Sequence, residues 1–581
     1  MMAFLKKLGI SFLISSLIYF NLRYWQLSIL GWIFVIFQLL LTSLFVRAIL
    51  IQVFHFTAHT LRTKIFSLFL SFYSLGLIGG LFILSTTFSS IIMALVFLLN
   101  AILWLALKAT LTIESEQSEN IFDVFKQGIA HAQEPKSKIS VLIYLVLIVL
   151  GFSLLINSQT GQSISSPWQI IDKMYIYVFF AAIVILGFLL LSKLSVKFIL
   201  FLIILQSILL HSYLPLTHQL FYGADQWRLL AAESQVVKGQ RLNIVLHDAD
   251  PRSIVRALNP GKLAYSQLWA TKVLLAKNLR IDLLVLDKWL VPLLFAILMP
   301  LLLHQLARFL NYNRRKSLLF SWLGFLFFPL QSLGSLTLPV SYGFIFFVFL
   351  LLLFLQRLHQ PNRKQMIILA TLFLLSIFGY SLYLILFLTF WVLAELNLTS
   401  RIINLKLPIN NKTNRYILVF TVYGLLLIAI ALFIPLLEYL SNYSFVDLSI
   451  NILIPIKQFI GNLTASYLAW GPRSHDITGG NLIFNQIPSY AFVSNLFTDF
   501  RYWLPIFMIG LWSICAYGMI KMLAKNTLEH KWLVILTVGL WLNYFIGFYL
   551  LTGGRIVSRR LDMVLSILTL IVLFYGLNKL F

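Results

Sequence analysis

Two charged side chains in a polar stretch of the chain are spaced as neighbours on one face of a helix. Asp225 and Arg228 lie in the stretch Asp225-Gln226-Trp227-Arg228, which follows an apolar segment. Residues three apart on a helix are neighbours, so Asp225 could act as a general base with Arg228 keeping it ionised. An aspartate before an apolar periodic run is also a good helix N-cap. The pattern leaves both roles open.

A second pair of acids follows in His247-Asp248-Ala249-Asp250-Pro251. Paired carboxylates of this kind hold Mg²⁺ or Mn²⁺ in many proteins. Asp250 before Pro251 also has the pattern of an N-cap with proline at the first helical position, and we favour that interpretation. The sequence therefore predicts no cofactor, with Asp248 and Asp250 as weak candidates for a divalent metal.

Several basic residues further along have the right chemistry to bind a phosphate or a sugar. Arg555, Arg559 and Arg560 precede the last apolar segment, and the planar fork of arginine suits phosphate groups. Snorkelling to lipid headgroups is the alternative. Arg473 and His475 lie in a stretch rich in Gly, Pro and Asn, which predicts turns first and a substrate-binding site second.

The elements that must position these residues are membrane helices. Hydrophobic residues make up 60% of the chain and charged residues 11%, and the mean hydropathy is +0.91. A spanning helix needs roughly 20 apolar residues, and about sixteen segments come near that length. We therefore predict an all-α, polytopic integral membrane protein. The net charge of +25 is explained by basic cytoplasmic connectors, so no nucleic-acid partner is expected.

Alternate connectors between the apolar segments are basic, which predicts the orientation. The positive-inside rule places these connectors and both termini in the cytoplasm. We predict that the protein lies in the plasma membrane. The basic connectors are residues 55–64, the stretch ending at 134–138, 192–197, 311–316, 357–364, 401–415 and 521–531.

Two long connectors, about 215–282 and 438–501, fall on the outer side, and most of the candidate residues lie in them. They suggest two modules, an N-terminal six-helix module (1–192) and a C-terminal module (193–581) of about ten helices. The apolar stretch 366–396, interrupted at 379–381, fits either two spans or one kinked helix.

The first outer loop predicts two amphipathic helices on the membrane surface. Residues 263–279 form the second. The first would begin near Asp225, with Arg228 and Glu233 away from its apolar face. That face would consist of Trp227, Leu230, Ala231, Ser234 and Val237.

This layout resembles the GT-C superfamily of membrane glycosyltransferases, which use polyprenyl-phosphate-linked sugars. The resemblance covers roughly residues 197–581. Asp225 stands at the family's acidic position, residues 227–239 resemble its first surface helix, and residues 263–309 resemble its return to the membrane. The arginines at 555–560 look like those that contact the lipid phosphate. The short loop 331–338 has no acid, unlike the metal-dependent members.

The resemblance implies an outward-facing active site that transfers a hexosyl or pentosyl group with inversion. The donor would be a polyprenyl-(di)phosphate sugar, and the acceptor a saccharide, lipid or protein. Membrane lipids are the other expected partners, and the oligomeric state stays open. A transporter or lipid flippase and a non-catalytic scaffold of envelope assembly are the alternatives. A transporter should place ionisable residues at mid-membrane depth, whereas Asp287, Lys288 and Asp562 lie near segment ends.

Overall fold

The computed structural model describes most of the 581 residues. The described residues are 2–57, 60–110, 135–162, 164, 167–222, 224–241, 261–395, 424, 427–432, 453–454, 456, 503–525, 527–547 and 561–580. Within these ranges every regular element is a helix, and the β pairing is limited to one isolated bridge between Thr160 and His218.

The helices are described in two groups, before and after residue 223, which lies early in the first outer loop. The first group is α1 Met2–Phe20, α2 Ser28–Gln52, α3 Leu61–Ser85, α4 Ser90–Thr110, α5 Pro135–Asn157, α6 Lys173–Leu191, α7 Val196–His211 and α8 Tyr213–Thr217. The second is α9 Ala224–Val237, α10 Gly261–Leu279, α11 Leu283–Phe309, α12 Arg314–Leu323, α13 Phe328–Gly334, α14 Pro339–His359, α15 Arg363–Leu375, α16 Ser381–Glu395, α17 Trp503–Leu523, α18 Leu528–Phe545 and α19 Asp562–Leu580.

Nine helices in the described part are long and apolar enough to cross a membrane: α1 to α6, α11, α14 and α19. Helix α7 and parts of α16 and α17 are apolar but shorter. The prediction of an all-helical polytopic membrane protein is confirmed for these residues. The total of about sixteen spans stays a prediction.

Helix α10 is buried inside the bundle, so the prediction that residues 263–279 lie on the membrane surface was wrong. It packs against α2 and α3, which have glycines at the contact points. A Cβ at Gly31 would lie 1.8 Å from the Asn278 carbonyl oxygen, and one at Gly76 would lie 2.2 Å from the Thr271 hydroxyl oxygen. Small residues let helix backbones approach closely in this way. An amphipathic helix on the membrane surface would turn its polar side chains toward water. In the structure, polar side chains of α10 contact partners inside the protein.

Helices α15 and α16 form a hairpin, which excludes one kinked helix over residues 366–396; whether each helix spans the membrane stays a prediction. The rings of Phe373 in α15 and Phe387 in α16 have centroids 5.9 Å apart, and those of Phe373 and Trp391 are 6.1 Å apart. In one continuous helix, residues 14 apart would be separated by about 21 Å. The chain therefore reverses at the 3₁₀ turn Ser376–Phe378.

The basic connectors meet at one end of the bundle, which we call the basic end. It consists of the described parts of residues 53–64, 192–197, 311–316, 357–364 and 521–531. The contacts between them are Gln365 Nε2 to the Val53 carbonyl at 2.9 Å, Arg315 Nη2 to the Leu194 carbonyl at 2.6 Å, and His359 to Glu529 at 3.5 Å. The compartment that this end faces stays a prediction.

One large hydrophobic core joins α1–α4 to α9–α11, α14–α16 and α17–α19. A second, smaller core holds α5, α6 and α7 together. Helices from both sides of residue 192 thus share packing. The division into modules at that residue stays a prediction.

Candidate functional site

Helix α9 exposes the predicted catalytic carboxylate. Asp225 lies in the first turn, where the partial positive charge of the helix N-terminus favours a carboxylate. The side chains of Asp225 and Arg228 are 74% and 85% exposed, and Asp225 Oδ1 lies 4.0 Å from Arg228 Nη1. Such an exposed pair contributes little to stability. The structure therefore brings these two predicted residues together on an open surface.

The other predicted site residues lie outside the described residues. They are Arg473, His475, Arg555, Arg559 and Arg560, with the weak metal candidates Asp248 and Asp250. In the described part of the chain, no group of three or more His, Cys, Asp and Glu could hold a metal ion.

The buried face of α9 is shifted by one residue from the apolar face that the sequence predicts. Gln226, Leu229, Glu233 and Val236 are buried, whereas Trp227 is 46% exposed and packs on the Phe221 ring. In a membrane protein an apolar face does not have to turn inward, because lipid is as apolar as the core. Polar interactions decide which side of this helix faces the bundle.

A buried triad of charged residues joins α9 to α10 and α11. It consists of Glu233 in α9, Lys272 in α10 and Asp287 in α11, and all three side chains are 0% exposed. The ammonium nitrogen of Lys272 contacts Oε1 of Glu233 and also contacts Oδ1 of Asp287. The helices α9, α10 and α11 are thereby joined at one point.

The triad has one more acidic group than it has basic groups. Burial raises the pKa of Glu233 to about 8; Lys272 opposes this shift, and Asp287 adds to it. Among the described residues, Glu233 Oε2 and Asp287 Oδ2 are buried without a hydrogen-bond partner. The triad can therefore hold a proton near neutral pH, and a proton on Glu233 would balance its charges.

A second polar contact attaches α9 to α11 beside the triad. Gln226 Nε2 donates to the Asp287 carbonyl at 3.0 Å. The Val291 N–H donates to the Thr337 hydroxyl at 3.4 Å, directly before Pro292. A proline inside a helix removes one backbone donor and disturbs the ladder. Gln226 and Thr337 thus meet backbone groups near this disturbance, and Gln226 attaches the start of α11 to α9.

Sequence reasoning missed the triad for a physical reason. Glu233 was placed on the polar face of a surface helix, Lys272 lay in a second one, and Asp287 lay near the end of a span. Each is unremarkable alone at its position. Only the contact of α9, α10 and α11 makes them a unit, and no local pattern encodes that contact.

An apolar cavity of about 490 Å³ lies in the C-terminal bundle. It is lined by α17, α18 and α19, and its residues include Trp512, Cys515, Trp541 and Thr569. Trp541 Nε1 donates to the Thr569 hydroxyl at 3.2 Å, and the Trp512 and Trp541 rings meet edge to face. Ligand pockets typically have volumes of about 300–1,000 Å³.

Comparison with known proteins adds no relative to this picture. No family model, no curated protein and no solved structure matches the chain.

Proposed function

We propose that this protein is a membrane glycosyltransferase of the GT-C type. It transfers a sugar from a polyprenyl-(di)phosphate donor to a saccharide, lipid or protein acceptor at the end of the bundle where α9 lies. One observation carries the proposal. An exposed carboxylate, Asp225, begins a helix whose opposite face is fixed to the bundle by buried charges. A catalytic base needs this combination of access and rigid support.

The chemistry is a single displacement at the anomeric carbon. The acceptor hydroxyl attacks that carbon, the bond to the phosphate oxygen breaks, and the lipid phosphate leaves with the bonding electrons. Asp225 takes the proton of the acceptor hydroxyl. Arg228 lies beside this carboxylate, with its Nη1 4.0 Å from Asp225 Oδ1. Arg555 and either Arg559 or Arg560 would stabilise the charge on the leaving phosphate, because successive residues on a helix point about 100° apart.

The buried triad and the apolar cavity have supporting roles in this proposal. The buried triad positions α9, so that Asp225 stays at a fixed distance from the membrane helices. The apolar cavity between α17, α18 and α19 suits part of the hydrocarbon chain of the donor, because its lining is almost wholly apolar. Neither group touches the reacting atoms.

The test is transfer from a synthetic polyprenyl-phosphate sugar by the purified full-length protein. We expect Asp225→Asn to lower the rate by roughly 100-fold or more, because it removes the base and keeps the shape. Asp282→Asn is the matched control. Asp282 is an exposed aspartate of the same loop that caps α11, and asparagine caps equally well.

Donor consumption measured with and without acceptor separates an enzyme from a scaffold. A scaffold consumes no donor under either condition. Wild-type activity in Asp225→Asn would remove the proposed base, and inactivity of Asp282→Asn would show that the assay reports folding.

A proton-coupled transporter is the second candidate, and the triad is the observation that favours it. Buried acids that change protonation near neutral pH occur in proton relays. The triad lies near the start of α11 and not at mid-length, which suits a transporter less well. Uptake by proteoliposomes that depends on a pH gradient and disappears in Glu233→Gln would support this candidate over the transferase.

A further inference from the structure

The basic end of the bundle holds a cluster of cations that we call the arginine cluster: Arg62, His304, Arg308 and Arg314. Arg62 Nη1 donates to His304 Nδ1 at 2.9 Å. Arg308 and Arg314 lie close enough to repel the charge of Arg62. Arg62 is half-buried and His304 is buried, so solvent does not fully screen this repulsion.

Two helix N-termini add to the positive potential. Arg62 is the second residue of α3, and Arg314 is the first residue of α12. The N-terminus of a helix carries a partial positive charge, so a cation there is unfavourable and an anion is favourable. Both helices are already capped by side chains, Thr60 for α3 and Asn313 for α12. Arg62 and Arg314 therefore have no role in capping these two helix N-termini.

Among the described residues, the cluster has hydrogen-bond donors without partners and no carboxylate that pairs with its cations. Arg62 Nε and His304 Nε2 are buried and have no hydrogen-bond partner there. Since His304 accepts at Nδ1, its proton is on Nε2. Arg308 has one Nη1 hydrogen bond, to the Tyr312 carbonyl at 2.6 Å. Arg308 also lines a cavity of about 90 Å³ with Glu529, but that carboxylate pairs with His359 at 3.5 Å.

We propose that the arginine cluster binds a phosphate group, supplied by an anionic phospholipid headgroup or by free phosphate. A phosphate accepts several hydrogen bonds at once and matches the forks of arginine. The buried donors of Arg62 and His304 would bind its oxygens, and Arg308 and Arg314 would balance its charge. This site is separate from the proposed sugar transfer, since α11 carries about 40 Å of helix between its two ends.

The test uses the full-length protein in phosphatidylcholine nanodiscs and measures its unfolding temperature. One arm adds phosphatidylglycerol to the lipid. The other adds inorganic phosphate, with chloride at matched ionic strength as the reference. We expect at least one of them to raise the unfolding temperature of the wild type. Stabilisation in the first arm alone identifies a lipid headgroup, and stabilisation in the second arm alone identifies free phosphate.

Arg62→Gln should weaken the response about 10-fold or more in apparent affinity, because it removes charge-assisted hydrogen bonds. In phosphatidylcholine alone, the same variant should be as stable as the wild type or more stable, since it relieves repulsion. A merely structural role predicts the opposite. Arg363→Gln is the control: Arg363 is the first residue of α15, is exposed, belongs to the basic end and lies outside the cluster.

Two results would overturn the proposal. The first is a wild type that responds to neither phosphatidylglycerol nor phosphate. The second is a response that Arg62→Gln and Arg363→Gln retain equally. If Arg62→Gln gives no folded protein, Arg314→Gln replaces it, because Arg314 is exposed.

Discussion

The charged side chains at the two ends of α11 differ in whether they have partners of opposite charge. At its start, Asp287 joins Glu233 around Lys272, and each carboxylate has the ammonium group as its partner. At its end, His304 and Arg308 meet Arg62 and Arg314, and no described carboxylate pairs with them. In the first arrangement the carboxylates share a cation within the chain, whereas for the second we propose an anion from outside.

The exposed pair Asp225 and Arg228 is a third case at the same end as the triad. Their distance of 4.0 Å and high exposure give the pair little value for stability. Eight positions further along the same helix, Glu233 is wholly buried. The short helix α9 thus carries two acids in different surroundings: Glu233 is buried and supports the helix, and Asp225 is accessible. The following predictions test that difference.

The largest effect should come from removing the centre of the triad. Lys272→Met leaves two carboxylates buried without a cation, which costs about 3–5 kcal/mol of unfolding free energy. Unfolding in mild detergent measures the loss. Lys277→Met, on the same helix at a half-buried position, should change stability far less. Equal effects of the two variants would show that the triad adds nothing to the packing of α10.

Close packing of α10 should matter next. Gly31→Ala places a Cβ 1.8 Å from the Asn278 carbonyl oxygen, and overpacking of this kind costs about 1–3 kcal/mol. A Cβ at Gly9 meets no atom within 4 Å, so Gly9→Ala serves as the control. The comparison of the two ends predicts that Gly31→Ala weakens the triad and leaves the phosphate response of the arginine cluster intact.

The third test is the pH dependence of the triad. The pKa of Glu233 rises from its ordinary value of 4.5 to about 8 on folding. The folded state therefore holds a proton that the unfolded state releases, and stability falls as pH rises from about 4.5 to about 8. Glu233→Gln has no such proton, so its stability relative to the wild type should increase over that window. Unfolding temperatures between pH 5 and 9 test this difference, and parallel curves would contradict the shifted pKa.

Composition and periodicity predicted the helical membrane architecture because lipid imposes it on any apolar chain of this kind. They also predicted a helix beginning near Asp225, since the local pattern there is sufficient. They placed the wrong face of α9 inward and placed α10 on the surface, because both errors concern which partner a helix meets. The triad and the arginine cluster depend on contacts across dozens to hundreds of residues, which hydrophobic patterns do not report.

The central claim is that Asp225 does chemistry while the triad only holds its helix. Sugar transfer per folded molecule, measured for Asp225→Asn and Glu233→Gln side by side with unfolding temperature, tests it most directly. We predict that Asp225→Asn loses roughly 100-fold or more of the transfer rate and keeps the wild-type unfolding temperature at neutral pH. Glu233→Gln should keep the rate per folded molecule. Full transfer by Asp225→Asn, or its loss in Glu233→Gln alone, would contradict the account.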